Sequence, residues 1–300
     1  MTWQGVFPAV TTQFHDDFSI DRGATQKTVD RLIQDGIDGI VALGTVGENY
    51  ALSPEEKLSM LSALVETVDS RVPLLTGVAE TTTAAAVAYS TAAHKAGADG
   101  LMVMPGLVYQ SDQGEAIEHL RQVAIATPLP VMIYNNPVSY GVDLTLEGTA
   151  RVIDLENIVA IKESTTDVRR VTELRNTFAG RFDIFCGVDD IILPCLALGA
   201  TGWISGLTNV FPRESVALFR AAAAGDLITA RALFDWFLPL LRLDTVSKLV
   251  QCIKLCEQLV GRGSETVRPP RLALSGAERQ NVELLLKRAL EDRPGLPESS

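Results

Sequence analysis

Three hundred residues exceed any small stapled module and fit one large domain or two ordinary ones. Hydrophobic residues at 47% against 21% charged leave ample core material and exclude a disordered chain. A formal net charge of −11 would be repelled by nucleic acid and by anionic membrane surfaces, which sets both aside as partners.

Short apolar runs alternate with helical periodicity along most of the chain. Residues 5–11 (GVFPAVT) read as a strand with a polar exit. Residues 21–35 have helical spacing, with Val29, Leu32 and Ile33 on one stripe. Residues 39–43 (GIVAL) are a buried-strand run that ends in GTVGE. Ser53-Pro54-Glu55-Glu56 predicts a capping box with proline at the first helical position, and Leu58, Leu61, Leu64, Val65 and Val68 then keep one apolar face. The alternation continues through strands at 73–78, 100–104, 130–134, 157–162, 183–186 and 202–205. Helices are expected between them at 82–96, 113–126, 145–154, 167–178 and 190–198, and another from about 212. Apolar strand runs without alternation suit parallel strands covered on both faces. Eight strand–helix units in about 225 residues predict a closed (β/α)8 barrel, and no GxGxxG follows the first strand to favour an open dinucleotide fold.

Beyond residue 225 the strand signals stop. Helical patterns at 227–241, 246–260 (Val246, Leu249, Val250, Ile253 and Cys256 on a stripe) and 276–290 predict a C-terminal helical extension. The expected organisation is therefore a catalytic barrel over 1–225 and an extension over 226–300, with a frayed tail at 293–300. Cys186, Cys195, Cys252 and Cys256 show no metal-binding spacing and read as buried or half-buried thiols in a reducing cytoplasm. The three histidines are scattered, so no catalytic metal is expected. The N-terminus lacks a basic start with an apolar run, and no apolar stretch approaches a membrane span; a cytoplasmic location is expected.

Reactive groups of such barrels stand at the C-terminal ends of the strands. There this sequence places Gly44-Thr45-Val46-Gly47-Glu48, Tyr134-Asn135-Asn136-Pro137, Lys162-Glu163-Ser164 and Cys186-Gly187-Val188-Asp189. A lysine ending an apolar strand has two readings of equal weight. Burial favours an amine's neutral form, which can attack a carbonyl or imine carbon. Alternatively, Lys162 snorkels or pairs with a carboxylate such as Glu163. Tyr134, on the neighbouring strand, could pass protons or be a core aromatic. The Gly44–Gly47 turn could aim backbone N–H groups at an anion or be a plain connection.

Taken together, GTVGE, YNNP, IKES, GVDD and GATGWISGLTNVFP resemble the dihydrodipicolinate synthase/N-acetylneuraminate lyase family, in order, spacing and strand position, from Trp3 to about Leu274. The resemblance implies a (β/α)8 barrel with a helical extension, a homotetramer, and a lysine Schiff base to a 2-oxo acid without metal or other cofactor. It makes Lys162 the Schiff-base lysine and Tyr134 the proton-transferring tyrosine. Thr45 and the Val46 backbone become the carboxylate-holding turn, and Gly187 and Ile204 neighbours of the substrate.

The departures bear on substrate. The family turn often reads GTTGE, and Val46 here removes one hydroxyl while keeping the amides. The synthases carry an arginine where Ser139 stands, which binds the carboxylate of aspartate semialdehyde. They also carry a tyrosine pair where Gly106-Leu107 stand, and the nearest tyrosine here is Tyr109. Losing a charge-assisted carboxylate contact disfavours synthase activity. The favoured expectation is a hydroxyproline-pathway 1-pyrroline-4-hydroxy-2-carboxylate deaminase, with Ser139, Tyr140 and Tyr109 offering hydroxyls to a small hydroxylated substrate. Its alternatives are a pyruvate-dependent aldolase or a dehydratase of 2-oxo-3-deoxy sugar acids. From other classes stand a phosphate-binding barrel isomerase, with Gly199, Gly202 and Gly206 as its cradle, and a non-catalytic relative.

Overall fold

Runs of Val, Ile, Leu and Ala too short for helices become eight parallel strands, each bounded by a turn and followed by a helical segment. A computed structural model describes residues 3–296. The strands are β1 (Gly5–Pro8), β2 (Ile40–Ala42), β3 (Leu74–Val78), β4 (Gly100–Val103), β5 (Val131–Asn135), β6 (Ile158–Glu163), β7 (Asp183–Cys186) and β8 (Gly202–Ser205). Each pairs with its sequence neighbour, and β1 pairs with β8 from Gly5↔Gly202 to Pro8↔Ser205. A bridge from Ala9 to Val41 brings β1 against β2 and nearly closes the (β/α)8 barrel. The strands are buried almost throughout, as parallel strands under a helical coat must be. The rings of Phe7 and Phe185 meet edge-to-face at 5.2 Å and fill the interior.

The helices are α1 (Arg22–Gln34), α2 (Pro54–Val68), α3 (Thr83–Ala96), α4 (Gln113–Ile125), α5 (Pro137–Tyr140), α6 (Leu146–Ala150), α7 (Arg169–Phe178), α8 (Ile192–Ala197), α9 (Pro212–Ala223), α10 (Leu227–Leu241), α11 (Leu249–Leu259) and α12 (Gly276–Glu291). The capping box at Ser53 and Glu56 is formed, and a second one joins Asp112 and Glu115 at the start of α4. The expected helix at 145–154 is shorter. After α6 the N–H groups of Arg151 and Val152 bond to carbonyls only three residues back, which tightens the chain into turns. The strand expected over 5–11 ends at Pro8, because Thr11 and Gln13 turn away to bond with residues near α11. Val246 precedes α11 and is exposed rather than on its buried stripe. The four cysteines are buried and unpaired. Of the tail expected at 293–300, residues 297–300 lie outside the described part, as do residues 1–2 of the N-terminal segment. Among the described residues no helix is long and apolar enough to cross a membrane.

The three last helices pack on the barrel. α10 lies along α9, and Phe211 meets the stacked rings of Trp236 and Phe237 of α10 edge-to-face, with ring centroids at 5.4 and 5.8 Å. The Trp236 indole N–H donates to the Ala289 carbonyl at 2.9 Å, which fastens α12 to α10. On α11, Lys254 and Glu257 are fully buried against the loops that follow β1 and β2. Burial pushes the Glu257 carboxyl from its ordinary 4.5 up to about 7, against the Thr11 hydroxyl bond and the nearby Lys254 and Arg262 cations. The folded chain therefore holds this proton up to about pH 7, whereas the unfolded chain releases it near 4.5, so this carboxyl costs stability as pH rises through that window. Glu257→Gln lacks this loss. Its melting temperature relative to the parent protein is expected to climb between pH 4.5 and 7 and level off above, measured by scanning calorimetry.

Candidate active site

The turn after β2 is built to expose backbone N–H groups. Leu43 and Glu48, both in the left-handed region at φ 56° and 55°, bracket Gly44–Gly47. The Asn49 side-chain amide donates to the Leu43 carbonyl at 2.6 Å, and the Thr12 hydroxyl donates to the Gly47 carbonyl at 2.7 Å. These bonds anchor the carbonyls and leave the amides facing inward. Among the described residues the N–H groups of Thr45 and Val46 donate to no protein acceptor, and both residues line a cavity of about 450 Å³ at the C-terminal mouth of the barrel. Two adjacent unfilled donors in a tight turn form a site for a small anion.

Lys162 and Tyr134 face this cavity from the register pair at the ends of β6 and β5. Alternation sends Asn135 and Glu163 to the opposite face. There the Asn135 amide donates to Glu163 at 3.1 Å and to Asp143 at 2.9 Å. Glu163 is thus occupied elsewhere; burial raises its pKa, and no ion pair joins it to Lys162 among the described residues. Lys162 is 7% exposed, with its Nζ 4.0 Å from the centroid of the Tyr134 ring. The Tyr134 hydroxyl accepts from the Asn136 amide at 3.0 Å. Gly187 makes room for the lysine, since a Cβ there would lie 2.1 Å from Ser164 Oγ and 2.7 Å from Lys162 Cε. Ser164 Oγ, buried at the same point, has no protein partner.

A second hydroxyl cluster adjoins the turn. Tyr140 Oη lies 3.1 Å from Thr45 Oγ1 and 3.2 Å from Tyr50 Oη, and its ring meets that of Tyr134 edge-to-face at 5.5 Å. Burial, with Tyr134 and Tyr50 close by, holds the Tyr140 phenol well above its ordinary pKa, so it remains a proton donor. The Thr45 hydroxyl therefore meets Tyr140 and Tyr50, while Tyr134 is turned to Asn136.

Of the residues singled out from the sequence, Thr45, Val46, Tyr134, Ser139, Lys162, Gly187 and Ile204 line one cavity. Tyr140 reaches its edge through Thr45. Tyr109 stands apart. Val108 at φ 76° swings it outward, it is 66% exposed, and its hydroxyl bonds Glu115 at 3.2 Å. It lines a separate cavity of about 600 Å³ with Tyr50, Lys57 and Glu80. Sequence reasoning gave no role to Tyr50, Asn136 or Ser164, although Asn136 and Ser164 stand within the YNNP and IKES motifs and Tyr50 follows GTVGE by two residues. It also passed over Asp244, which lines the same cavity as Lys162 from the segment between α10 and α11. Behind the cavity, buried Asp189 accepts from the Trp203 indole at 2.9 Å, the Ser205 hydroxyl at 3.1 Å and the Leu207 N–H at 3.0 Å. Its carboxyl is nonetheless pushed up to about 6 by burial. Among the described residues no group of three His, Cys, Asp or Glu side chains could hold a metal ion.

An anion turn facing a lone amine, with phenols beside both, can hold a carboxylate while the amine attacks the adjacent carbon. The chain as a whole is similar to known proteins. Residues 2–289 match the model of the dihydrodipicolinate synthetase family. The chain is 35% identical over 276 residues to a 4-hydroxy-tetrahydrodipicolinate synthase of Methanothrix thermoacetophila, covering 91% of this chain and 92% of that one. It is 34% identical over 290 residues to a probable 2-dehydro-3-deoxy-D-pentonate aldolase of Escherichia coli, covering 95% and 96%. The structure of the synthase from Methylacidiphilum fumariolicum superposes with a TM-score of 0.92 at 32% identity, over 96% of both chains. A prophage protein of Escherichia coli solved in complex with pyruvate superposes with a TM-score of 0.91 at 31% identity, over 97% and 99%. The chain belongs to the dihydrodipicolinate synthetase family, whose members are class I lyases and aldolases.

Proposed function

We propose that Lys162 forms a Schiff base with C2 of a small hydroxylated 2-oxo acid, or of its cyclic imine, and that elimination at C3–C4 follows. The substrate read from this site is 1-pyrroline-4-hydroxy-2-carboxylate, and the activity is its deamination. The observation that carries the reading is the charge inventory of the cavity. Among its described lining residues Lys162 is the one basic side chain and Asp244 the one acidic side chain; the rest are apolar or carry hydroxyls and amides. Such a wall accepts one carboxylate, on the Thr45 and Val46 amides, and offers no cation to a second. Ser139, where the synthases hold aspartate semialdehyde with arginine, contributes a hydroxyl instead.

In the proposed course the free-base amine of Lys162 adds to C2 and displaces the ring nitrogen, which stays attached through C5. Tyr134, with its ring beside Nζ, and the Thr45–Tyr140 hydroxyls handle the protons of addition. The iminium then draws electrons from the C3–H bond as an enamine. The enamine expels the C4 hydroxyl, the C5 amine tautomerises to an imine, and two waters hydrolyse the two imines to a 2-oxo acid aldehyde and ammonia. One water leaves and two enter, so the net reaction consumes one water.

A second reading is aldol cleavage of a 2-oxo-3-deoxy sugar acid. The relative named as a pentonate aldolase favours it, as do the hydroxyls of Ser139, Ser164, Thr166 and Ser247 in the cavity wall. A phosphate-binding isomerase is not favoured. Gly202 lies against the Phe185 ring, Gly199 against Arg175 and Gly206 against the Asp244 carboxylate, so these glycines serve packing rather than an anion. A homotetramer belongs to the same proposal. Val108, 94% exposed, and Tyr109 beside it present an apolar patch that a second copy would cover, and sedimentation velocity is expected to give the mass of four chains.

Borohydride added during turnover is expected to fix a reduced adduct on Lys162, found by peptide mass. Lys162→Ala is expected to lose the adduct and at least roughly 10³-fold in kcat. Full activity in that variant would overturn the proposal. Ammonia with a 2-oxo acid aldehyde identifies the deaminase, whereas pyruvate with a second aldehyde identifies the aldolase.

A further inference from the structure

Asp244 stands in a short helical turn, Arg242–Thr245, that leads from α10 to α11 and carries no motif. Its side chain nonetheless reaches the barrel mouth. A Cβ built on Gly206, just past β8, would lie 2.4 Å from Asp244 Oδ1, so the absence of a side chain there is what admits the carboxyl. The carboxyl lines the cavity that holds Lys162. Among the described residues it makes no hydrogen bond, whereas Asp189 beside it accepts three. The residue is half-buried, and a carboxyl with no protein partner opens here onto the substrate space.

The turn after β2 and the amine from β6 stand on opposite sides of the barrel, and the β7–β8 rim, over which Asp244 lies, borders the space between them as the β3–β5 rim does on the other side. Elimination of a hydroxyl needs an acid there, because hydroxide leaves poorly and water leaves well. We infer that Asp244 is a further catalytic residue, the acid that protonates the departing C4 hydroxyl; this rests on the elimination reading of the site. As the enamine electrons form the C3=C4 bond, the C4–O bond breaks and the oxygen takes the Asp244 proton to leave as water. The water that later attacks C2 in hydrolysis of the Schiff base returns a proton to the Asp244 carboxylate.

The surroundings favour the protonated form. Enclosure by the cavity wall holds the Asp244 carboxyl well above its ordinary range, and the neighbouring Asp189 carboxylate adds to this. The Lys162 ammonium opposes it, and Asp190 on the same turn as Asp189 adds a little more. The same carboxyl would repel a second substrate carboxylate whenever ionised, in keeping with a monocarboxylate ligand.

The test is leaving-group rescue. Asp244→Asn and the smaller Asp244→Ser are expected to lose roughly 10²-fold or more in kcat on the 4-hydroxy substrate. Both should retain turnover within a few-fold on a 4-chloro 2-oxo acid, whose chloride departs without a proton. Pyruvate has no C4 substituent, so borohydride trapping of pyruvate on Lys162 should persist in both variants and serves as the check on folding. Unchanged turnover of the hydroxy substrate in either folded variant would overturn the acid role, and so would equal losses on the hydroxy and chloro substrates. Failure of the parent protein to trap either substrate would instead overturn the Schiff-base reading.

Discussion

A buried ion pair that never meets the substrate fixes the anion turn. Lys254 Nζ on α11 lies 3.0 Å from Glu48 Oε1, with both side chains wholly out of water. The ammonium also donates to the Thr12 carbonyl at 2.8 Å and to the Thr266 carbonyl, and it stands 4.6 Å from the centroid of the Phe14 ring. Glu48 Oε2 accepts the Arg268 N–H at 3.0 Å. Every donor of the ammonium and both oxygens of the carboxylate are thus engaged, the condition under which a buried pair is tolerated. Glu48 closes the Gly44–Gly47 turn in a left-handed conformation that a glutamate avoids unless held. The pair is what holds it, and the free amides of Thr45 and Val46 take their aim from that constraint. Removing one partner would leave the other charged and buried, a loss of roughly 3–5 kcal/mol.

This dependence explains how much of the site was legible in the sequence. Strand ends, capping boxes and the apolar faces of helices are local patterns, and they placed Lys162, Tyr134 and the turn at one mouth without any knowledge of packing. Glu48 could be read as the end of a motif, but its partner lies 206 residues away in a segment that reads only as an amphipathic helix. Asp244 was hidden for the same reason. It follows one helix and precedes another, and its role is set by Gly206, 38 residues earlier, whose missing side chain opens the way. Tyr109 fails in the opposite direction. It is near the cavity in sequence, but the positive φ of Val108 turns it to the surface, and no composition rule predicts a left-handed valine.

The division of labour at the mouth follows the strand alternation. Tyr134 and Lys162 face the cavity, while Asn135 and Glu163, one residue on, join Asp143 and Arg170 behind the sheet. That polar layer occupies the one carboxylate adjacent to Lys162 in sequence and leaves the amine without a fixed counter-charge. The remaining carboxyls near it, Asp189 and Asp244, are both raised by burial. Asp189 spends its charge on three donors, and an amine that must shed its proton to attack is better served by a protonated Asp244 than by an ionised one, because a close negative charge would hold the ammonium form.

The helical extension then acts on the site twice, and the two actions differ in kind. Through Lys254 it braces the turn that every 2-oxo acid would use, so that contribution is general to the Schiff-base step. Through Asp244, as the proposed acid, it supplies the group that selects the bond broken once the Schiff base has formed. A barrel that keeps its lysine, tyrosine and anion turn can therefore change its reaction by altering one residue of the segment laid over the mouth of β8, without disturbing a strand. On the proposed course, fold and early chemistry belong to the barrel, and the choice of bond to break belongs to the segment between α10 and α11.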